Sequence, residues 1–326
     1  MLTIDGSRLE GGGQIVRTAV ALSALTSEPV RIVSIRAKRP VKGLAAQHLA
    51  AVKAVAMSCD AVCTGLSVGS GALVFEPGKL KYREISLDIG TAGSISLVLQ
   101  AWLPVGLAAG GTIRIAGGTE VEHSPTIDYM DAVLFGVLRR CGAEASLKVN
   151  ARGYYPEGGG EVVLRTGASA LTPIAPQRVE GGTVSIVSCT QNLPDHVAAR
   201  QAESAAELLQ REGLRAESKL ERRRGRSTGS SCTISLGAKG ACALGKRGLP
   251  AEKVGRKAAE RFLEEFRHDG SVDTHLSDQL LVFLARAGGE YTCSSFTMHA
   301  QTVCWLFGEF GLDVEVTGDT LTRFSA

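Results

Sequence analysis

Aromatic residues make up only 5% of this 326-residue chain, too few for an aromatic-rich β-sandwich. No apolar run approaches the ~18–20 residues that a membrane-spanning helix requires, which argues against membrane insertion. The opening residues Met1-Leu2-Thr3-Ile4-Asp5 lack a basic region followed by an apolar stretch, so no secretory leader is expected. Neither sign of charge dominates: 36 basic and 33 acidic residues leave a net +3. A polyanionic partner must therefore be met by a local patch and not by the overall field. The cysteines at 59, 63, 141, 189, 232, 242, 293 and 304 include no CxxC pair. They read as reduced thiols in apolar surroundings, typical of a cytoplasmic protein, and not as disulfides or a zinc site.

What the chain has in abundance is glycine, 39 residues of it, on an ordinary background of 44% hydrophobic and 21% charged residues. The length allows one large or two ordinary domains. Short α/β units joined by tight turns fit this composition. Val30–Ile35, Leu73–Phe75, Glu84–Ile89 and Thr112–Ile115 read as strands. Gly43–Met57, Ile95–Ala108 and Ile127–Cys141 have helical spacing. The character changes near Pro176-Gln177-Arg178. Beyond it, a strand at Thr183–Val187, a helix at 195–210, a basic loop at Arg222–Ser227, a strand at Cys232–Leu236 and a helix at 251–266 give a β-α-β-α pattern. Residues 181–269 are thus read as a small inserted domain within a discontinuous one formed by 1–180 and 270–326. Helices at 275–284 and 297–310 and a hairpin of 314–316 with 321–323 close the chain.

The strongest motif is Glu10-Gly11-Gly12-Gly13-Gln14-Ile15-Val16-Arg17, echoed by Glu157-Gly158-Gly159-Gly160-Glu161-Val162. Consecutive glycines permit positive φ and close approach of the backbone to a ligand. A carboxylate before them and an arginine after them suit a metal–phosphate site. The first copy runs into helical spacing, the second into the strand-like Val162-Val163-Leu164. Gly90-Thr91-Ala92-Gly93-Ser94 could form a phosphate nest, but such a turn is more often a plain strand-to-helix connection. The run Arg222-Arg223-Arg224-Gly225-Arg226 could touch an RNA backbone; a solvated loop is the commoner explanation, and no aromatics are interleaved for base stacking.

Taken in order, the 10–17 motif, Ile35-Arg36-Ala37-Lys38-Arg39-Pro40, Gly43-Leu44, Gln47-His48-Leu49, Arg152–Val162, Leu276-Ser277-Asp278-Gln279-Leu280 and the segment around His299 resemble the motifs of the RNA 3′-terminal phosphate cyclase family. The resemblance spans essentially the whole chain. It implies a mixed α/β (α+β) fold: a large domain of repeated βαβαββ units, related to enolpyruvyl transferases, interrupted by a smaller βαβαββ-like insert. It also implies a reaction in which a histidine, matched here by His299, attacks the α-phosphate of ATP. AMP then passes to an RNA 3′-phosphate end, and the 2′-hydroxyl closes a 2′,3′-cyclic phosphate.

A neutral imidazole can attack phosphorus without a strong base, and a helix start favours phosphate. Residue identity alone would leave His299 an ordinary histidine. The resemblance makes Glu10 the ligand for Mg²⁺ or Mn²⁺ and Arg17, Arg36 and Arg39 the phosphate contacts. Gln47, Pro125, His275, Asp278 and Gln279 fall around the nucleotide, with Lys38, Lys42 and His48 as weaker candidates for guiding RNA. Two positions depart from some relatives: Thr302 is followed by Val303 where they have Thr-Asn, and His275 stands where they have a tyrosine on adenine. A non-catalytic RNA-processing or ribosome-assembly factor on the same fold is the main alternative, and an enolpyruvyl transferase a third. The oligomeric state stays open, a homodimer among the options.

Overall fold

The computed structural model describes residues 1–318 and 321–326. The first unit runs β1 (Leu2–Asp5), α1 (Gly13–Thr26), β2 (Val30–Val33), α2 (Ala46–Cys59), β3 (Val62–Thr64) and β4 (Leu73–Glu76). Its strands lie in the order β1-β2-β4-β3. β1 and β2 are parallel, with Leu2 opposite Val30, whereas β4 is antiparallel to both its neighbours. A parallel pair needs a crossover, and α1 supplies it. The second unit repeats this plan: β5 (Arg83–Asp88), α3 (Ile95–Ala109), β6 (Gly111–Gly117), a helical stretch, β7 (Ala145–Ala151) and β8 (Gly160–Thr166), ordered β5-β6-β8-β7. The helical stretch is α4 (Ile127–Tyr129), a π-helical turn over Met130–Leu134 and α5 (Phe135–Arg140).

Next comes the insert: β9 (Thr183–Gln191), α6 (His196–Arg211), β10 (Arg215–Arg223), β11 (Gly229–Leu236), β12 (Lys239–Leu244) and α7 (Ala251–Arg267), with strand order β10-β9-β11-β12. The chain ends with α8 (Thr274–Ala287), β13 (Glu290–Cys293), α9 (Met298–Glu309), β14 (Glu315–Thr317) and β15 (Thr322–Ser325), ordered β13-β15-β14. Ile174 makes a parallel bridge to Gly289, immediately before β13. It stands where the first strand of a third βαβαββ unit belongs. The insert is spliced between that strand and its helix.

Packing follows burial demand. α3 is sandwiched among other helices and is apolar nearly all round, with Ile95, Val98, Leu99, Trp102, Leu103 and Val105 buried. Trp102 donates its indole N–H to Ser58 Oγ at 2.9 Å, so the largest core side chain leaves no polar atom unpaired. α6 and α7 are amphipathic instead, because only one face of each is covered. Along α7 that face is Val254, Ala258, Ala259, Phe262 and Leu263. Two hydrophobic clusters result, one uniting the three repeats and one inside the insert. No helix among the described residues is long and apolar enough to cross a membrane.

The insert has more strands than its apolar pattern suggests. β10 carries Arg215, Glu217, Lys219, Glu221, Arg222 and Arg223 and is an edge strand, whose charges keep it from pairing with other chains. Hydrophobic alternation cannot reveal such a strand. The expected basic loop therefore begins inside β10, and the insert's order is βαβββα rather than β-α-β-α.

Much of the seam between insert and repeats is ionic. Arg152, just after β7 and only 2% exposed, meets Glu120 at 2.6 Å, Asp128 at 2.6 and 2.8 Å, and Glu221 of β10 at 2.9 Å. Arg223 donates to the carbonyls of Val149 and Asn150, and Arg226 packs on Gly159. The basic run is thus partly a fastening. Three carboxylates share the Arg152 guanidinium, and burial pushes Glu120 above the ordinary carboxylate range. Removing Arg152 strands those carboxylates, so Arg152→Leu is expected to lose about 3–5 kcal/mol. Glu120→Gln, which keeps the shape, should cost far less. Thermal unfolding of the two variants checks the contrast, and equal losses would contradict it.

Candidate active site

Each glycine of the 11–13 string does a different job. Gly11 has φ 59°, a left-handed turn that admits glycine readily. A Cβ on Gly12 would collide with the Glu10 carboxylate, and one on Gly13 with the His48 imidazole. The string lets a carboxylate and a ring both close on the start of α1. His48 is 4% exposed, and its Nδ1 accepts from Ala45 N–H at 3.1 Å, capping α2. Burial, with Arg17 and Arg36 nearby, holds His48 down to about 3, so it is neutral. This corrects the expectation that His48 guides RNA: it is a buried prop beneath the glycine string.

Glu10 pairs with Arg39 through Oε1, and Arg39 also donates to the Glu10 carbonyl at 2.9 Å. Arg17, one turn into α1, has a buried Nε without a partner. Burial brings Arg17 down to about 10, against the pull of Asp278. Arg36 sits in a left-handed conformation (φ 52°) and donates to Gly43 O at 3.0 Å, inside its own loop. Gln47 Oε1 accepts from Ser94 N–H at 3.0 Å, joining α2 to the start of α3. Within the Gly90–Ser94 turn, Gly90 N–H donates to Asp88 and Gly93 N–H to Thr91. Three of the turn's five amides, those of Gly90, Gly93 and Ser94, are thus engaged within the protein.

The third unit brings the opposing side. Asp273 caps α8 by accepting from the N–H groups of His275 and Leu276, and it also accepts from Tyr129 Oη–H and Gly240 N–H. One carboxylate thereby fixes α8 to the second unit and to the insert. Asp278 follows on α8, and Gln14 Nε2–H donates to its Oδ2 at 2.9 Å. Gln14 Oε1 lies 2.5 Å from His299 Nδ1. His299 is the second residue of α9, whose first turn is capped by Thr297 Oγ accepting from Ala300 N–H. Arg8 stacks 4.7 Å over Trp305 and anchors α9 to the loop before α1. Burial, then Arg17, His275 and Arg39, lower the affinity of His299 for a proton.

Glu10, Arg17, Arg39, Asp278 and His299 thus converge through direct contacts or mutual fields, with Arg36 and Gln47 on the loop and helix beside them. Gln279 donates to His275 O at 2.7 Å and leaves its Oε1 buried and unpartnered, while His275 is exposed at the rim. Pro125 lies in the loop before α4, next to Thr126, which bonds Thr233 of the insert. Among the described residues no contact ties Pro125 to His299. Gln14, the bridge between His299 and Asp278, was not singled out from the sequence as a site residue. Its signal was its place three residues before Arg17 on one helix face.

Of the buried side-chain polar atoms without a partner among the described residues, three gather here: Glu10 Oε2, Arg17 Nε and Gln279 Oε1. Buried polar atoms are normally satisfied, so this group is built for a polar ligand. Helix N-termini, cationic side chains and an imidazole of lowered proton affinity are groups suited to phosphate chemistry. The family model for RNA 3′-terminal phosphate cyclase matches residues 8–317. The chain is 45% identical to an RNA 3′-terminal phosphate cyclase of Archaeoglobus fulgidus over 314 residues, covering 95% of each. It is 45% identical to one of Methanopyrus kandleri, covering 98% of this chain and 96% of the relative. It is 43% identical to one of Saccharolobus islandicus, covering 100% and 99%. The chain belongs to the RNA 3′-terminal phosphate cyclase family.

Gly13→Ala should displace His48 and cost about 1–3 kcal/mol by overpacking. Freed from its burial, His48 should then titrate toward its ordinary value near 6.5, whereas in the native protein it stays neutral from pH 5 to 8. Histidine NMR titration reads this directly, and a silent His48 in the variant would contradict the packing account.

Proposed function

We propose that this protein is an ATP-dependent RNA 3′-terminal phosphate cyclase working through covalent nucleotidyl transfer on His299. The observation that carries the reading is His299 itself: an accessible imidazole with depressed proton affinity at a helix start, facing Arg17 and Arg39. A non-catalytic assembly factor would have no use for such a nitrogen.

In this reading the free ring nitrogen of His299 bonds to the α-phosphorus of ATP as the bond to the β-phosphate oxygen breaks, releasing pyrophosphate. A phosphate oxygen at the RNA 3′ end then takes the AMP from the ring. The neighbouring 2′-hydroxyl oxygen bonds to the 3′-phosphorus as the bond to the bridging oxygen breaks; AMP departs with that electron pair and the hydroxyl proton passes to water. Arg17, whose Nε lacks a partner, and Arg39 neutralise the charge building on the phosphates. Arg36 and Gln47 extend that surface, and the exposed His275 ring, with Gln279 and Pro125 as further candidates, offers the adenine a flank.

Mg²⁺ or Mn²⁺ fits Glu10, whose Oε2 is a hard oxygen without a partner. Among the described residues no group of three or more His, Cys, Asp or Glu could hold an ion alone. Glu10 therefore suits a cation whose other ligands are phosphate oxygens and water. Such an ion supplies charge neutralisation to the triphosphate when bound.

Incubation with ATP labelled at the α-phosphate should give acid-labile labelling of the protein, absent in His299→Ala. Glu10→Ala and Arg39→Ala should slow labelling by ~10²–10³-fold. Absence of label on the native protein with Mg²⁺ or Mn²⁺ present would sink the reading; normal rates in both variants would refute the roles of Glu10 and Arg39.

A further inference from the structure

The bridge from Asp278 through Gln14 to His299 has a direction. With Asp278 ionised, its carboxylate only accepts hydrogen bonds, so the Gln14 edge facing it is the NH₂ group, which donates to Oδ2 at 2.9 Å. The opposite edge is then the carbonyl, which also only accepts. The ring atom 2.5 Å from it, Nδ1, must carry the proton. We propose that Gln14 and Asp278 are positioning residues that lock His299 as the Nδ1–H tautomer and present Nε2 to phosphorus. The inference deepens the nucleotidyl-transfer reading above and rests on it.

The consequence is chemical. The Nε2 lone pair forms the N–P bond, the α-phosphorus-to-bridging-oxygen bond breaks, and pyrophosphate leaves with that electron pair. No proton has to leave the ring: Nδ1 keeps its own, and the imidazole becomes a cation. On transfer to an RNA phosphate oxygen the ring departs as neutral imidazole, still protonated on Nδ1. The cation formed between these steps faces Arg17 of α1, Arg39 of the loop before α2 and His275 of α8, all of which oppose it. The Gln14 carbonyl and the Asp278 carboxylate behind it are the groups that favour it. This gives Asp278 a role directed at the ring and not at the nucleotide.

Asp278 itself is pushed up to about 7 by burial, against Arg17 and the Gln14 bond, with Asp273 adding to the rise. Its charge is therefore lost as pH falls through neutrality. The acid limb of adenylylation in the native protein should contain this group. In Asp278→Ala that limb should move to lower pH, where His299, already below its ordinary 6.5, takes up a proton.

The test combines ¹⁵N-histidine NMR with adenylylation kinetics on the full-length protein, using α-labelled ATP. The native protein should show His299 protonated on Nδ1. Gln14→Met keeps the side-chain shape but cannot accept, and it should lose that tautomer. Its maximal labelling rate should fall by about 10²-fold or more, the scale seen when a catalytic histidine loses its orienting partner. Half-saturating ATP should stay within about twofold, since no nucleotide contact is removed. Asp278→Ala should shift the acid limb and slow labelling even if Gln14→Met does not fold. A Gln14→Met protein with native tautomer and native rate would overturn the proposal. So would an Asp278→Ala protein whose only defect is weaker ATP binding. A native protein that takes no label yet shows the Gln14-dependent tautomer would support the lock and reject the nucleotidyl-transfer reading instead.

Discussion

A single amide side chain ties the first repeat to the third: Gln14 of α1 holds Asp278 of α8 with one end and His299 of α9 with the other. Much else in the site exists to put that amide where it is. The first residue of α1 must be Gly13, because a Cβ there would strike His48. His48 must be neutral and buried to serve as the floor, and its cap on Ala45 N–H fixes the start of α2 at the same point. Asp273 fixes α8 by capping it, and Arg8 on Trp305 holds α9. The N-terminal turns of α1, α8 and α9 are thereby brought together through Gln14, Asp278 and His299, although α1 is separated in sequence from the other two by more than half the chain.

The electrostatics of the region explain how a nearly neutral protein can meet polyanions. Arg17 and Arg39 converge here and Arg36 lies beside them, while Glu10 pairs with Arg39 and Asp278 acts on Arg17. Arg17 is costly to bury, which is why its proton affinity falls to about 10. A charge kept under such strain, with an unpartnered Nε, is stabilised when an anion arrives. Burial, and then Arg17, His275 and Arg39, lower the proton affinity of His299. In the proposed mechanism, Arg17 and Arg39 therefore act on both the bound phosphates and His299.

How much of this was legible in the sequence depends on what kind of force sets each feature. Apolar periodicity located α2, α3, α6, α7, α8 and α9 to within a few residues, because burial dictates both sequence and helix there. β10 was missed because it is charged and lies at an edge, where burial leaves no pattern. Ile174 gave no hint of opening a third repeat, since a single parallel bridge has no period. At the site, Glu10 and Arg17 were visible as a carboxylate and an arginine flanking the glycine string, and His299 only through its place in the family motifs. Gln14 and His48 were not, because an uncharged amide acquires a role only from partners 264 and 285 positions away, and His48 looked polar where it is packed.

The two Glu-Gly-Gly-Gly strings now separate cleanly. The copy at 157–160 lies where Arg226 packs on Gly159 and β8 begins, beside the Arg152 cluster that joins the insert; its work is architecture. The copy at 10–13 shapes the floor beneath His299. The central claim, that Nε2 of His299 receives the nucleotide while Nδ1 keeps its proton, is tested most directly by ³¹P–¹⁵N coupling in the ¹⁵N-histidine-labelled adenylylated protein. The account predicts one-bond coupling at Nε2 of His299 with Nδ1 still protonated. Coupling at Nδ1, or AMP carried on a lysine, would contradict it.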